Sequence, residues 1–484
     1  MFSRQRSMGQ YGTPPETVEY MVQTLSNHLP DNRRNPEILD PATGDGVFVY
    51  SLLKEGFSPS QIHAYDIDTA TPSPHEGITF RHVDFLKVEL EEKFDAIVGN
   101  PPYKSKRQSD YFIENKKAIT ERYGGIGVHN LYSLFIHNGI KLLKPGGVLT
   151  MIVQDSFLTN VYYRKFRAYL LEKTIIKEIV LAPRRLFHKG KADVRTAILT
   201  LKKKEGNERQ EDMVMKLVDR LETQEYQNIT EDKIQYLKQA HFHDLPNNNF
   251  AVNVPEEILA HFLRPHEELG NVLKGGTGIS TGNDTLFLRR REDVKDDQEW
   301  LPFYKNGGVK DAWYYEPKFY IHKDWEDNEA IYPSFTVRNR AYFYRRGITC
   351  SSMGVDFSAA YLPENSLFGV NANLFPENEE DLFYYLGLLN SQLIKYMVRK
   401  VLNRTNMITS GYIKKIPYVL PAEDKKHLVI QTTKQLVEGK KADPQMDTAL
   451  LHSIVDGAIY DIYGISGENR THVESFCQDI LEKI

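Results

Sequence analysis

The chain has 484 residues and a formal net charge of −4, so it is not a polycation, and any nucleic-acid contact must come from local basic patches. Hydrophobic residues at 41% and aromatics at 11% suffice for packed cores and exclude a disordered chain, and the length predicts two or three domains. Two cysteines, Cys350 and Cys477, lack metal-ligand spacing, which excludes a disulfide framework or a zinc site; without a signal-like N-terminus or a bilayer-length apolar run, a soluble cytoplasmic protein with no membrane partner is expected.

Thr13-Pro14-Pro15-Glu16 predicts a helix start, with Thr13 as N-cap, prolines in the first turn and Glu16 at the capping-box position. Val18, Met21, Val22 and Leu25 follow at helical spacing. Ile38-Leu39-Asp40 is a short apolar strand ending in an acid. The chain then turns through Pro41-Ala42-Thr43-Gly44-Asp45-Gly46 into a helix expected from Phe48 to Glu55. Gly44 and Gly46 allow backbone and ligand to approach closely. A second strand, Gln61 to Tyr65, ends in Asp66-Ile67-Asp68. An acid there, about 20 residues past a glycine turn, is placed to take the hydroxyls of a ribose. Ile78 to Val83 leads to a third strand-end acid, Asp84, followed by Phe85. An acceptor beside a flat ring suits an adenine.

Phe94 to Gly99 is an apolar, β-branched run that stops abruptly at Asn100-Pro101-Pro102-Tyr103. The prolines fix φ and supply no N–H, so the loop neither continues a sheet nor starts a helix freely. It is a stiff corner presenting the Asn100 amide, the Pro101 carbonyl and the Tyr103 ring at the carboxyl end of a strand, where open α/β sheets bind ligands. Two acceptors beside one flat apolar surface suit a planar base with an exocyclic amine. Each strand-end acid alone is ordinary; three in succession followed by this corner are not.

With those residues in place, residues 8 to about 205 resemble the catalytic domain of N6-adenine DNA methyltransferases of the bacterial restriction–modification type. Thr13-Pro14-Pro15 matches the family's N-terminal cofactor motif. Asp40 to Gly46 matches its Asp-Pro-Ala-Cys-Gly-x-Gly, with Thr43 in place of the common cysteine. The resemblance implies an α/β fold: a Rossmann-like methyltransferase sheet with flanking helices, plus a C-terminal mixed α+β target-recognition domain. It also implies S-adenosylmethionine as cofactor, held by Thr13, Asp40, Ala42, Gly44, Gly46, Asp66, Ile67, Asp84 and Phe85. Asn100, Pro101 and Tyr103 become catalytic residues, double-stranded DNA the partner, and a separate cognate restriction endonuclease an expected companion. No metal is implied, and no fused nuclease domain is expected ahead of Thr13.

Residues 104–129 read as an irregular loop rich in Lys, Arg, Ser and Gly, and 130–143 as an apolar helix joined through Lys144-Pro145-Gly146-Gly147 to a strand. The stretch 161–204 is locally basic, which beside a base pocket favours phosphate contact, with Lys189 and Lys191 as candidates. Within it, Leu186-Phe187-His188-Lys189 resembles the family's late motif, which gives Phe187 the role of stacking on the target base together with Tyr103. The expected division is a catalytic domain over 1–205, a connection containing some helix over 206–254, a DNA target-recognition domain over 255–420 and a helical segment over 421–484. The third of these mixes glycines, Trp and Tyr with Arg338, Arg340, Arg345 and Arg346, a composition that stacks on bases and pairs with phosphates or simply fills a core. An amphipathic helix is expected over 382–401, and two more over 421–439 and 446–463.

Three alternatives stay open. N4-cytosine methylation uses the same loop but more often with Ser than Asn. N5-glutamine methylation of a protein belongs to enzymes without so large a C-terminal region. The third is a DNA-binding specificity protein whose methyltransferase domain is inactive.

Overall fold

A computed structural model describes residues 12–480 except 32, 90, 92, 108, 185, 188–193, 207, 210–212, 296–297 and 355. The chain forms two units, Met1–Asn253 and Val254–Ile484.

The first unit is built on a nine-stranded sheet. Helix α1 (Pro15–His28) precedes strand β1 (Ile38–Asp40), followed by α2 (Val47–Glu55), β2 (Ile62–Asp66), β3 (Thr79–His82) and β4 (Phe94–Gly99). Next come two short helices, α3 (Asp110–Glu114) and α4 (Lys116–Tyr123), then α5 (Leu131–Leu142), β5 (Leu143–Gln154), α6 (Arg164–Lys173), β6 (Thr174–Leu181), β7 (Thr196–Lys203), β8 (Val214–Val218) and β9 (Ile234–Lys238). Their order across the sheet is β3-β2-β1-β4-β5-β7-β6-β8-β9. The first five run parallel, and β7 lies antiparallel between β5 and β6. β4 is buried at every position, as its unbroken apolar run requires of a strand covered on both faces. α5 buries Leu134, Phe135, Ile136 and Ile140, and α1 buries Val18, Met21, Val22 and Leu25.

From β1 the chain moves to β2 and β3 on one side and returns to β4 on the other. That reversal is a topological switch point outside the carboxyl ends of β1 and β4, the position at which such sheets take ligands.

Four expectations are corrected here. Thr13 does not cap α1: Pro14 holds the N-cap position, with its carbonyl accepting from the Val18 N–H and no side-chain cap. Residues 104–129 are not wholly irregular, since α3 and α4 lie within them. The Lys144 to Gly147 turn lies inside β5, with Gly146 at φ +73° and a register shift between Phe94 and Ala96 taking up the irregularity. The stretch 206–254, expected as a connection, supplies β8, which pairs parallel to β6, and β9, which closes that edge.

The second unit holds two four-stranded sheets and a helical C-terminal part. Phe303, Tyr304, Trp325, Phe343, Phe368 and Phe375 share one core, and Trp313 is buried as well, so these aromatics are spent on packing. The helix expected over 382–401 is broken at Ser391 and finishes as a π-helix over Met397–Leu402; nearly every side chain in it is buried, so it is not amphipathic. The two later helices form, at Glu423–Ala442 and Ala449–Tyr463.

Candidate active site at the strand ends

Because β1 to β4 are parallel neighbours, their carboxyl ends share one edge of the sheet. Read along it, the chain places Asp84 just after β3, Asp66 at the end of β2, Asp40 at the end of β1 and Asn100 just after β4. Adjacent strands lie about 4.8 Å apart, so the four polar side chains are spread over the length of a nucleoside with a short tail.

Backbone hydrogen bonds tie these ends together. The Thr43 N–H donates to the Tyr65 carbonyl and the Val83 N–H to the Asp66 carbonyl, each at 2.9 Å. Gly44 and Gly46 both have positive φ, which glycine adopts without strain. Gly46 heads α2, where a Cβ would run into Pro74. The Asp66 carboxylate accepts from the Gly44 N–H at 2.9 Å and from the Asp68 N–H at 2.8 Å, so the glycine turn and the second acid form one assembly. Beside it Ile67 is 53% exposed, an apolar face open to a flat ligand.

Asp40 is fully buried. One oxygen accepts from the Ala42 N–H at 3.3 Å, while Oδ2 accepts no hydrogen bond among the described residues. Burial pushes the carboxyl up from 3.8 to about 7; the Ala42 N–H and the neighbouring Thr43 hydroxyl oppose this, and Asp66 reinforces it. A buried acceptor without a partner at the carboxyl end of β1 is suited to a cationic or donor group.

Phe85 is buried against Phe135, with ring centroids 5.1 Å apart. Asp84 accepts the Tyr111 hydroxyl at 2.9 Å on each of its oxygens and the Leu86 N–H at 3.1 Å. Burial and the adjacent Asp84 carboxylate drive the Tyr111 hydroxyl far above its ordinary range, so it stays protonated and donates. Tyr111 was missed in the sequence because α3 is a five-residue helix with no periodicity to read.

At β4 the chain turns with little room. A Cβ on Gly99 would lie 3.2 Å from Asp40 Oδ1 and 3.4 Å from Pro41 Cδ, so a small residue there lets the loop seat directly against the first acid. Asn100 is half-buried, and its Nδ2 donates to Thr13 Oγ1 at 3.0 Å. Tyr103 is buried, its hydroxyl donating to the Ile152 carbonyl at 2.9 Å. Its ring meets Phe187, also buried, edge to face at 6.1 Å, so the two aromatics named for the target base lie together. The loop's exit is anchored by the Leu131 N–H donating to the Lys104 carbonyl and by Asn130 capping α5.

Lys189 and Lys191 lie outside the described residues. Arg338 and Arg340 are exposed in the second unit; Arg340 pairs with Glu326 and Glu329, and Arg345 and Arg346 both pair with Glu379. Among the described residues no cluster of three His, Cys, Asp or Glu could hold a metal, and no helix is long and apolar enough to cross a membrane.

A mixed sheet with an antiparallel β7 and a row of polar residues at the ends of β1 to β4 defines the methyltransferase class of α/β fold. Comparison with known proteins agrees: residues 60–187 match the family model of the Eco57I restriction-modification methylase. An adenine-specific methyltransferase, BrxX of Escherichia coli O9:H4 (strain HS), is 24% identical over 372 residues, covering 73% of this chain and 30% of that protein. The type II methyltransferase M.HincII of Haemophilus influenzae is 29% identical over 182 residues, covering 37% of this chain and 34% of its own length. The chain thus spans about a third of the length of these curated relatives. Among solved structures, the type IIL restriction-modification enzyme MmeI in complex with DNA has a TM-score of 0.58 at 12% identity, covering 96% of this chain and 76% of that one. That likeness is one of fold.

Proposed function

We propose that the protein is a site-specific DNA methyltransferase that uses S-adenosylmethionine to methylate N6 of a flipped-out adenine in duplex DNA, within a restriction–modification or related defence system. The carrying observation is the Asn100 corner, seated against Asp40 at the end of the strand-end row. Asp66 would hold the cofactor's ribose, Asp84 with Phe85 its adenine, and Asp40 with the Ala42 to Gly46 turn its amino-acid end, with Ile67 against a ring face. When bound, the cofactor supplies an electrophilic methyl group.

The rest falls to the chain. An adenine amine is a weak nucleophile because its lone pair is delocalised into the ring. Asn100 Oδ1 and the Pro101 carbonyl, aimed at its two hydrogens, draw the nitrogen toward tetrahedral geometry and localise that pair. This is positioning and electrostatic preorganisation, with no covalent enzyme intermediate. The amine is out of reach inside a duplex, so the base must leave the stack, and the Tyr103 and Phe187 rings would receive it. Arg338, Arg340, Arg345 and Arg346, with Lys189 and Lys191, remain the candidates for DNA contact.

The test is incorporation of labelled methyl into unmethylated DNA, with the product nucleoside identified by mass spectrometry. N6-methyladenine is expected, and N4-methylcytosine or no product overturns the reading. Asn100→Ala should abolish transfer while leaving cofactor and DNA binding largely intact; turnover comparable to wild type removes the assignment of Asn100.

A further inference from the structure

An asparagine amide has two unlike ends, a carbonyl that accepts and an NH2 that donates. Facing the target amine, the carbonyl activates it, while the NH2 would set donor against donor. Catalysis by Asn100 therefore depends on which way its amide is turned, and rotation about the last side-chain bond is soft. Some neighbouring group has to choose.

The chain supplies one. Asn100 Nδ2 donates to Thr13 Oγ1 at 3.0 Å, across 87 residues of sequence. Thr13 is buried and precedes Pro14-Pro15, and a residue before proline is confined to extended backbone. Its β-branched side chain has few χ1 choices. Asn100 is itself followed by two prolines, so two stiff X-Pro corners face each other across this hydrogen bond. The Thr13 hydroxyl is not used by α1, whose N-cap is Pro14 without a side-chain bond. We propose that Thr13 is a positioning residue for transfer: by accepting from Nδ2, its hydroxyl holds the Asn100 amide with Oδ1 turned away from Thr13 and toward the target amine. This rests on the reading of Asn100 given above, and it gives Thr13 a role at the reacting corner beyond the cofactor contact expected of it.

The experiment compares Thr13→Val, which exchanges the hydroxyl for a methyl of similar volume, with Thr13→Ser, which keeps it. Cofactor and DNA affinities are measured by titration, and the transfer rate in single turnover with enzyme in excess. Thr13→Val should lower the transfer rate about 10-fold, the scale of one lost orienting hydrogen bond, with both affinities close to wild type; Thr13→Ser should recover most of the rate. The same pair is then made in an Asn100→Asp background, where a carboxylate offers an acceptor at either end and orientation no longer matters. There the cost of Thr13→Val should shrink toward nothing. An undiminished cost in that background, a Thr13→Ser no faster than Thr13→Val, or a Thr13→Val that loses cofactor affinity at unchanged transfer rate would each overturn the proposal. An active Asn100→Ala would instead remove the reading on which it stands.

Discussion

Replacing Asp40 by Asn should make the first unit more stable and the site worse. The carboxyl is fully buried, and burial raises it from 3.8 to about 7. That displacement corresponds to about 4 kcal/mol between its two protonation states. The sign follows from proton counting. Between the two values the folded chain holds a proton that the unfolded chain has released, so stability falls as pH rises through this window. Above about 7 the loss is complete, and below 3.8 it vanishes. Asp40→Asn removes the titrating group but keeps the shape and the acceptor for the Ala42 N–H. At about pH 8 the variant should therefore be more stable by ~1–4 kcal/mol, the upper figure being a limit because the new NH2 must also find a partner. The gap should close steadily on acidification from 7 toward 4. Because the chain has two units, a single melting curve mixes them, and hydrogen exchange at the amides of β1 and β4, read across pH, isolates the first. A variant less stable than wild type at about pH 8, or a gap independent of pH, refutes the reasoning. Cofactor affinity should fall in the same variant, placing the cost and the use of Asp40 in one atom group.

Tyr111→Phe removes a donor from both oxygens of Asp84. If Asp84 receives the cofactor's adenine amine, that phenol competes with it, and calorimetry should show binding about 3- to 10-fold tighter; weaker binding would make the tyrosine part of the pocket wall instead. Tyr103→Phe should keep most of the transfer rate and lower stability by about 1 kcal/mol, because the hydroxyl bonds the Ile152 carbonyl while the ring faces Phe187. Tyr103→Ala should cost far more in rate, and equal rates for the two variants would deny the ring a role.

The edge that forms the site was legible because each of its parts is local. Ile38 to Asp40 and Phe94 to Gly99 are apolar runs closed by an acid or a proline corner, and the glycine turn marks the start of α2. What escaped was decided by partners distant in sequence. β8 and β9 read as polar connection because only some of their side chains are buried, and β8 becomes a strand through pairing with β6 some 38 residues earlier (Glu178 against Lys216). Thr13 had the composition of an N-cap, but two successive prolines moved the helix start one residue on and released its hydroxyl to Asn100. In the second unit, Trp313, Trp325 and Phe343 looked as suited to stacking on bases as to packing; their burial assigns them to the core, which composition alone could not decide.

Two buried acids on neighbouring strands show why geometry adds to motif. Asp95 lies at the start of β4, Asp40 at the end of β1. Burial would raise Asp95, but Lys144, the Glu37 N–H and Arg33 outweigh it and hold that carboxyl below its usual range. It ties the amino end of β4 to its surroundings, and its contacts account for it entirely. Asp40 is more deeply buried; among the described residues no cation offsets that burial, the Ala42 N–H and the Thr43 hydroxyl offset it only in part, and Oδ2 accepts no hydrogen bond. A fold selected for stability alone would replace such a group by an amide or an apolar side chain, since an unmatched buried carboxyl lowers stability at every pH above its titration. Its place beside the Asn100 corner, where the strand order reverses, is what the proposed cofactor role of Asp40 would account for. Burial, partners and position thus support a proposed cofactor at this edge independently of the resemblance of Asp40 to Gly46 to any known motif.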